Sequence, residues 1–110
     1  MLLDGIHVPL TTPFYPDGRL NLRKLEHNVD RYSRTPVAGM IVLGANGEPN
    51  TLSDVETREA LEAAVAMAAD EKVMLAGVAR DGVSSALEVA AIAAGLRYDG
   101  VVLRLPPTLL

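Results

Sequence analysis

The sequence contains no cysteine, which excludes disulfide bonds and any chemistry that depends on a thiolate. Tryptophan is also absent and aromatic residues make up only 4% of the chain, whereas alanine, valine and leucine are common. This balance favours α/β architecture, in which buried parallel strands pack against helices with small side chains. Because a chain without cysteine fits a reducing compartment, we expect a cytoplasmic protein.

Other features that are missing exclude further classes of function. No apolar run approaches the roughly 18 residues that a membrane helix needs, so we expect no membrane partner. The formal net charge is −4 and the basic residues are scattered, which predicts no nucleic-acid partner. His7 and His27 have no second histidine or carboxylate at the spacing of metal ligands, so no metal site is predicted.

What the chain does contain is a regular alternation of two patterns. Short apolar runs predict buried strands, and stretches with apolar residues every three or four positions predict amphipathic helices. The predicted strands span 6–10, 39–43, 73–78 and 101–105. The predicted helices begin near residues 21, 53 and 85, and the third ends at Gly95.

Polar residues predict how these helices begin. Asn21 is a predicted N-cap of the first helix. Ser53 with Glu56 has the spacing of a capping box at the second helix, and Ser85 with Glu88 has the same spacing at the third.

The strands recur about every 30 residues, which is the size of a βαβ unit. Parallel strands of this kind occur in doubly wound open sheets and in closed barrels, and the spacing alone leaves both possible. The sequence Gly44-Ala45-Asn46-Gly47 matches neither a dinucleotide fingerprint nor a P-loop, which disfavours a nucleotide-binding domain. A closed barrel needs eight strands and about 250 residues, so this chain would supply half of one.

The end of the chain also favours an incomplete barrel. Residues 103–110 are apolar and proline-containing, without a helix or a polar tail after the fourth strand. We therefore expect residues 1–110 to be the N-terminal portion of a single barrel domain whose remainder is absent from this chain. A complete four-stranded domain with an apolar tail is the alternative.

Five segments, in order, carry a resemblance to a known family: 5–18 with Pro9-Leu10-Thr11-Thr12-Pro13-Phe14, 39–48 with Gly47-Glu48, 51–58, 73–78 and 100–106. They resemble the dihydrodipicolinate synthase and N-acetylneuraminate lyase family. The resemblance implies a (β/α)8 TIM barrel, of which the chain supplies about the first four strands and three helices. It also implies a lyase or aldolase that forms a Schiff base with pyruvate or a related 2-oxo acid. Such an enzyme would need no metal and no organic cofactor, and would be a homo-oligomer, a dimer or a tetramer.

The loop after the second strand is where the family holds the substrate carboxylate, which implies binding by Gly44, Ala45, Asn46 and Gly47. Glycines allow successive backbone amides to converge on an anion, and Asn46 would add a side-chain donor. Asn46 resembles the variant in 4-hydroxy-2-oxoglutarate aldolases, whereas Ala45 lacks the hydroxyl usual in the family. The simpler interpretation is that Gly44 and Gly47 only turn the chain from strand to helix. Glu48 is expected to be structural.

Four other residues are candidates for the lining of the same pocket. Thr11 and Thr12 follow the first strand, and Arg80 follows the third, so all three lie on the side where barrel active sites form. Thr108 stands nearest the place of a family tyrosine that is missing after Pro106. The alternatives are local hydrogen bonds for the threonines and a solvated loop for the arginine.

The lysines decide where the chemistry would take place. A Schiff-base lysine must sit in a partly desolvated pocket so that its amine is neutral. Lys24 lies on the polar side of a predicted helix and Lys72 precedes the third strand, at the opposite end from the pocket. The resemblance therefore implies that the catalytic lysine and the relay tyrosine both lie after Leu110, and that residues 1–110 alone are inactive. The alternative function is a non-catalytic or divergent relative that binds a carboxylated metabolite, or an enzyme similar to 4-hydroxy-2-oxoglutarate aldolase.

Overall fold

The computed structural model of the chain describes residues 2–44, 52–80 and 82–104. Strands and helices alternate strictly along these residues. The strands are β1 (His7–Pro9), β2 (Gly39–Val42), β3 (Val73–Val78) and β4 (Gly100–Leu103), and the helices are α1 (Leu22–Ser33), α2 (Asp54–Met67) and α3 (Val83–Gly95).

The strands form one parallel sheet in the order β1-β2-β3-β4. Each strand therefore pairs with the next one in the sequence, as in a barrel, whereas a doubly wound sheet reverses its strand order at a switch point. This is the strand order of the barrel that the resemblance implies, and the doubly wound alternative is wrong.

All three helices cover the same face of the sheet. Met40 and Val42 of β2 are 0% and 1% exposed, and they lie in register with Met74 and Ala76 of β3. These alternate strand residues share one hydrophobic core with residues from each helix: Leu25, Val29, Leu61, Ala64, Val89 and Ala93. The residues between them, such as Gly39 and Gly77, face the other side of the sheet, which is the interior of a barrel.

Two of the three predicted helix starts are confirmed. The side chain of Asn21 accepts a hydrogen bond from the backbone amide of Lys24, and Ser53 with Glu56 forms a reciprocal capping box. The capping box predicted from Ser85 and Glu88 is wrong. The third helix begins earlier, at Val83, so Ser85 already has a helical backbone and cannot cap it.

The first turn of α3 is organised by the backbone instead. Gly82 occupies the N-cap position without a side-chain hydrogen bond, and its carbonyl accepts from the amide of Ala86. This helix therefore begins without the side-chain cap that fixes the start of α2.

Polar contacts tie together the end of the sheet at which the strands begin. The ammonium group of Lys72 donates to the carbonyls of Thr35 and Val37, each at 2.7 Å. The phenol of Tyr98 donates to the carbonyl of Leu61 at 2.8 Å, and burial raises the pKa of this phenol above its usual range. This end of the sheet is therefore a structural end, as expected for the face of a barrel that carries stability.

The edge strand β4 and the outer surface of α3 present large apolar side chains to solvent. Val101, Val102 and Leu103 are 46%, 41% and 56% exposed, and Val83 and Leu87 of α3 are 69% and 64% exposed. In a closed barrel the strand and helix that follow would cover this surface. Within the described ranges, no helix is long and apolar enough to cross a membrane.

Candidate carboxylate-binding site

Three of the candidate residues lie just beyond the carboxyl ends of neighbouring strands. Thr12 follows β1, Gly44 follows β2 and Arg80 follows β3. Because the strands are parallel, these ends meet at one edge of the sheet. This edge is the face at which TIM barrels build their active sites.

The chain leaves β2 through an unusual backbone turn. Leu43 has a φ of 61°, in the left-handed region that side chains other than glycine rarely adopt, and it is 2% exposed. This turn ends β2 one residue earlier than predicted. It directs the backbone across Gly77 of β3, where an added Cβ atom would lie 2.1 Å from the Leu43 carbonyl oxygen and 2.7 Å from the Gly44 nitrogen. Gly77 is therefore the residue that lets the candidate loop start where it does.

The remaining residues of the predicted carboxylate loop, Ala45, Asn46 and Gly47, lie outside the described residues, as does Glu48. Leu52, the next residue that the structure describes, is 6% exposed and belongs to the core. The candidate loop thus runs from the turn at Leu43 to the first turn of α2.

Arg80 is not the solvated loop arginine that was one of its two interpretations. Its side chain is only 16% exposed, and its Nη2 atom donates to Asp54 Oδ1 at 3.3 Å and to Thr57 Oγ1 at 3.1 Å. Both partners belong to the first turns of α2. The guanidinium group therefore joins the end of β3 to the start of the helix that follows the candidate loop.

The two threonines after β1 have different surroundings. Thr12 is 9% exposed, whereas Thr11 is exposed and borders a cleft of about 240 Å³ between the outer edge of β1 and α1. That cleft also includes Arg31 and Tyr32 of α1. A role for either threonine in the substrate pocket stays a prediction, and Thr108 lies outside the described residues.

The turn between β1 and α1 holds a compact charged pair. Asp17 accepts hydrogen bonds from the backbone amide and from the Nε atom of Arg19, and Arg19 also lies over the ring of Tyr15. The backbone hydrogen bond, and then the side-chain hydrogen bond, lower the pKa of the Asp17 carboxyl group. The negative charge of the Asp17 carboxylate is therefore balanced by the positive charge of Arg19, two residues away.

Neither lysine provides a buried amine at the edge that carries the candidate site. Lys24 is exposed on the first turn of α1. Lys72 lies just before β3, at the opposite end of the sheet from Gly44 and Arg80. Among residues 2–44, 52–80 and 82–104 no three His, Asp or Glu side chains are grouped to hold a metal ion.

Sequence reasoning missed Gly77 and both partners of Arg80 at this edge. A glycine inside a predicted strand, such as Gly77, signals close backbone approach, and that signal was available. The role of Thr57 had no local signal, because its partner Arg80 lies 23 residues away.

Comparison with known proteins assigns the sequence to a family. The sequence model of the dihydrodipicolinate synthetase family matches residues 2–107 of the chain. The chain belongs to this family. The resemblance inferred from the five segments is thus confirmed over almost the whole sequence.

Relatives of this dihydrodipicolinate synthetase family member include 4-hydroxy-tetrahydrodipicolinate synthases from distant organisms. The Xanthomonas axonopodis pv. citri protein is 35% identical over 107 residues, which cover 97% of this chain and 35% of the relative. The Methanococcus maripaludis (strain C7) protein is 31% identical over 104 residues, which cover 94% of this chain and 36% of the relative. The chain thus spans about a third of the length of these curated relatives.

Solved structures give the same assignment of fold. N-acetylneuraminate lyase from Fusobacterium nucleatum matches with a TM-score of 0.86 and 27% identity, covering 96% of this chain and 37% of that one. Dihydrodipicolinate synthase from Aquifex aeolicus matches with a TM-score of 0.84 and 27% identity, covering 90% of this chain and 33% of that one. The predicted fold class is confirmed: the chain has the N-terminal strands and helices of the TIM barrel of this family.

Proposed function

We propose that residues 1–110 form the N-terminal portion of a single TIM-barrel domain that acts as a lyase or aldolase on pyruvate or a related 2-oxo acid. One observation carries this proposal: the family match over residues 2–107 coincides with a sheet whose carboxyl ends bring Thr12, Gly44 and Arg80 to one edge. The cytoplasmic location and the homo-oligomeric state stay predictions.

The substrate carboxylate is proposed to bind at Gly44, Ala45, Asn46 and Gly47. The proposal is supported by the position of Gly44 directly after β2, at the edge where barrel sites form. Backbone amides and the Asn46 side chain can bind a carboxylate without a metal ion, because each donates a hydrogen bond to negative oxygen.

The chemical step is proposed to use a lysine after Leu110. Its neutral amine would attack the C2 carbonyl of the 2-oxo acid and release water, which leaves a protonated imine. The imine draws electrons from C3, so that C3 loses a proton and then attacks an aldehyde carbon, whose oxygen takes up a proton. Hydrolysis of the imine would then release the product and restore the lysine. The proton transfers are assigned to a tyrosine that also lies after Leu110.

A second candidate function is binding of a carboxylated metabolite without catalysis. Ala45 favours it, because alanine has no hydroxyl to relay a proton, and so does Thr108 where a tyrosine is usual. Asn46 instead favours an enzyme similar to 4-hydroxy-2-oxoglutarate aldolase. A test of proton loss at C3 separates catalysis from mere binding.

Pyruvate should lose its methyl protons to solvent when the full-length barrel is present. In deuterium oxide, proton NMR should record a decay of the methyl signal, because the imine makes C3 acidic. The Lys24→Ala variant should exchange the methyl protons of pyruvate at the wild-type rate, since Lys24 is exposed on α1. Saturable pyruvate binding with no exchange above the uncatalysed rate would favour the binding protein over the aldolase.

In the same assay Asn46→Ala is expected to raise the pyruvate concentration needed for half-maximal exchange by roughly ten- to a hundredfold. The reason is the loss of one charge-assisted hydrogen bond to the carboxylate, which contributes about 1.5–3 kcal/mol. Asn50→Ala removes an amide from the same segment and should leave this concentration unchanged. Equal effects from both variants would remove Asn46 from the proposed site.

A further inference from the structure

Both ends of the candidate loop are held against the end of the same strand. At one end, the backbone of Leu43 and Gly44 lies against Gly77 of β3. At the other end, the first turn of α2 is bound by Arg80, three residues further along the chain from Gly77. The end of β3 therefore contacts the chain on both sides of the segment that connects Gly44 to α2.

The contact between Arg80 and α2 reaches the very start of the helix. Thr57 is 3% exposed, and its hydroxyl accepts from Arg80 while it donates to the Ser53 carbonyl at 2.9 Å. Ser53 is the N-cap of α2, and its own hydroxyl accepts from the amide of Glu56. A continuous chain of hydrogen bonds thus links the guanidinium group to the residue at which the helix begins.

The contact with Asp54 adds an ion pair to this chain of hydrogen bonds. The Asp54 side chain remains 90% exposed in this pair, whereas the Arg80 side chain is largely covered. The Nη2 atom of Arg80 is occupied by these two partners on α2. This geometry suits a residue that holds a protein segment in place better than one that receives a substrate.

We propose that Arg80 is a positioning residue, which fixes the first turn of α2 against β3 and thereby sets the affinity of the site for the carboxylate of a 2-oxo acid. The proposal rests on the proposed function for the identity of the ligand. It assigns to Arg80 no contact with the reacting atoms, so its removal should change binding and leave the chemical step intact.

Two readouts test this role in the full-length protein. The first is the KM and kcat of pyruvate methyl exchange, and the second is hydrogen exchange at the backbone amides of Glu56 and Thr57. Arg80→Gln removes the cation, and Arg80→Lys restores a cation without the planar fork. Arg58→Gln is the matched control, because Arg58 lies on α2, the helix that Arg80 contacts, and its ion pair among the described residues is with Glu62, at 3.6 Å, on the surface.

Arg80→Gln is expected to raise KM roughly tenfold through misplacement of the binding groups, with kcat changed by less than about twofold. The amides of Glu56 and Thr57 should exchange faster in this variant. Arg80→Lys should recover part of the affinity, and Arg58→Gln should behave as the wild type in both readouts. An unchanged KM, or a fall in kcat with an unchanged KM, would overturn the proposal.

The design separates this proposal from the proposed function. If the wild-type protein exchanges no pyruvate protons, the aldolase assignment fails, and pyruvate binding is then measured directly by ligand-observed NMR. Weaker binding of pyruvate to the Arg80→Gln variant than to the Arg58→Gln variant would still support the positioning role. Equal binding to both variants, or no binding to the wild type, would overturn it.

Discussion

Replacement of Gly77 by alanine is expected to lower the free energy of unfolding by about 3 kcal/mol or more. An added Cβ atom would lie 2.1 Å from the Leu43 carbonyl oxygen, 2.5 Å from the Leu43 carbonyl carbon and 2.7 Å from the Gly44 nitrogen. All three are backbone atoms, so no side-chain rotation can relieve the clash. Leu43 is also buried and already in the left-handed region, which leaves its backbone little room to shift.

Urea unfolding of the full-length protein, followed by circular dichroism, measures this loss. Gly95→Ala is the matched control, since an added Cβ at Gly95 meets nothing within 4 Å and Gly95 lies in a helix. That control should be as stable as the wild type or more stable by up to about 1 kcal/mol. If Gly77→Ala and Gly95→Ala unfold at the same urea concentration, the close approach of β2 to β3 is not as described.

The same substitution should disturb the candidate site in any molecules that still fold. The Gly44 nitrogen is one of the atoms that must move, and Gly44 begins the proposed carboxylate loop. We therefore expect weaker pyruvate binding together with lower stability, which distinguishes Gly77 from core residues that act on stability alone.

Much of the fold was predictable because its signals are local. Apolar runs and helical periodicity placed all four strands and all three helices in the correct order along the chain. The end of β2 was predicted one residue too late. Gly44 was the obvious residue for a left-handed turn, and nothing in the sequence indicates that Leu43 adopts it instead.

The two predicted capping boxes illustrate the limit of spacing as a signal. Ser53-Glu56 and Ser85-Glu88 have the same spacing, yet only the first forms a box. The second lies inside α3, which begins directly after Gly82. The spacing of polar residues identifies possible caps, but the path of the preceding loop decides where the helix starts.

The candidate site was predictable in part for a related reason. The parallel strands indicated which edge would carry it, and Gly44 and Arg80 do lie at that edge. The partners of Arg80 could not be predicted, because Asp54 and Thr57 lie on a different βα unit, 26 and 23 residues earlier. Contacts between units depend on tertiary packing, which no short segment encodes.

Trapping of the imine should give the largest functional effect, since an adduct either forms or does not. Borohydride reduces a protonated imine to a secondary amine, which makes the attachment of pyruvate permanent. Lys24 is exposed and Lys72 is engaged with the Thr35 and Val37 carbonyls at the structural end of the sheet. Lys24 therefore lies in solvent and the amine of Lys72 is held by backbone carbonyls, so neither is placed to attack a substrate at the candidate site.

Mass spectrometry of the full-length protein after incubation with pyruvate and borohydride therefore tests the aldolase function most directly. We predict one pyruvate adduct per chain, on a lysine after Leu110, which disappears when pyruvate is omitted. An adduct on Lys24 or Lys72 would contradict the assignment of the site. The absence of any adduct with pyruvate or another 2-oxo acid would contradict the aldolase function itself.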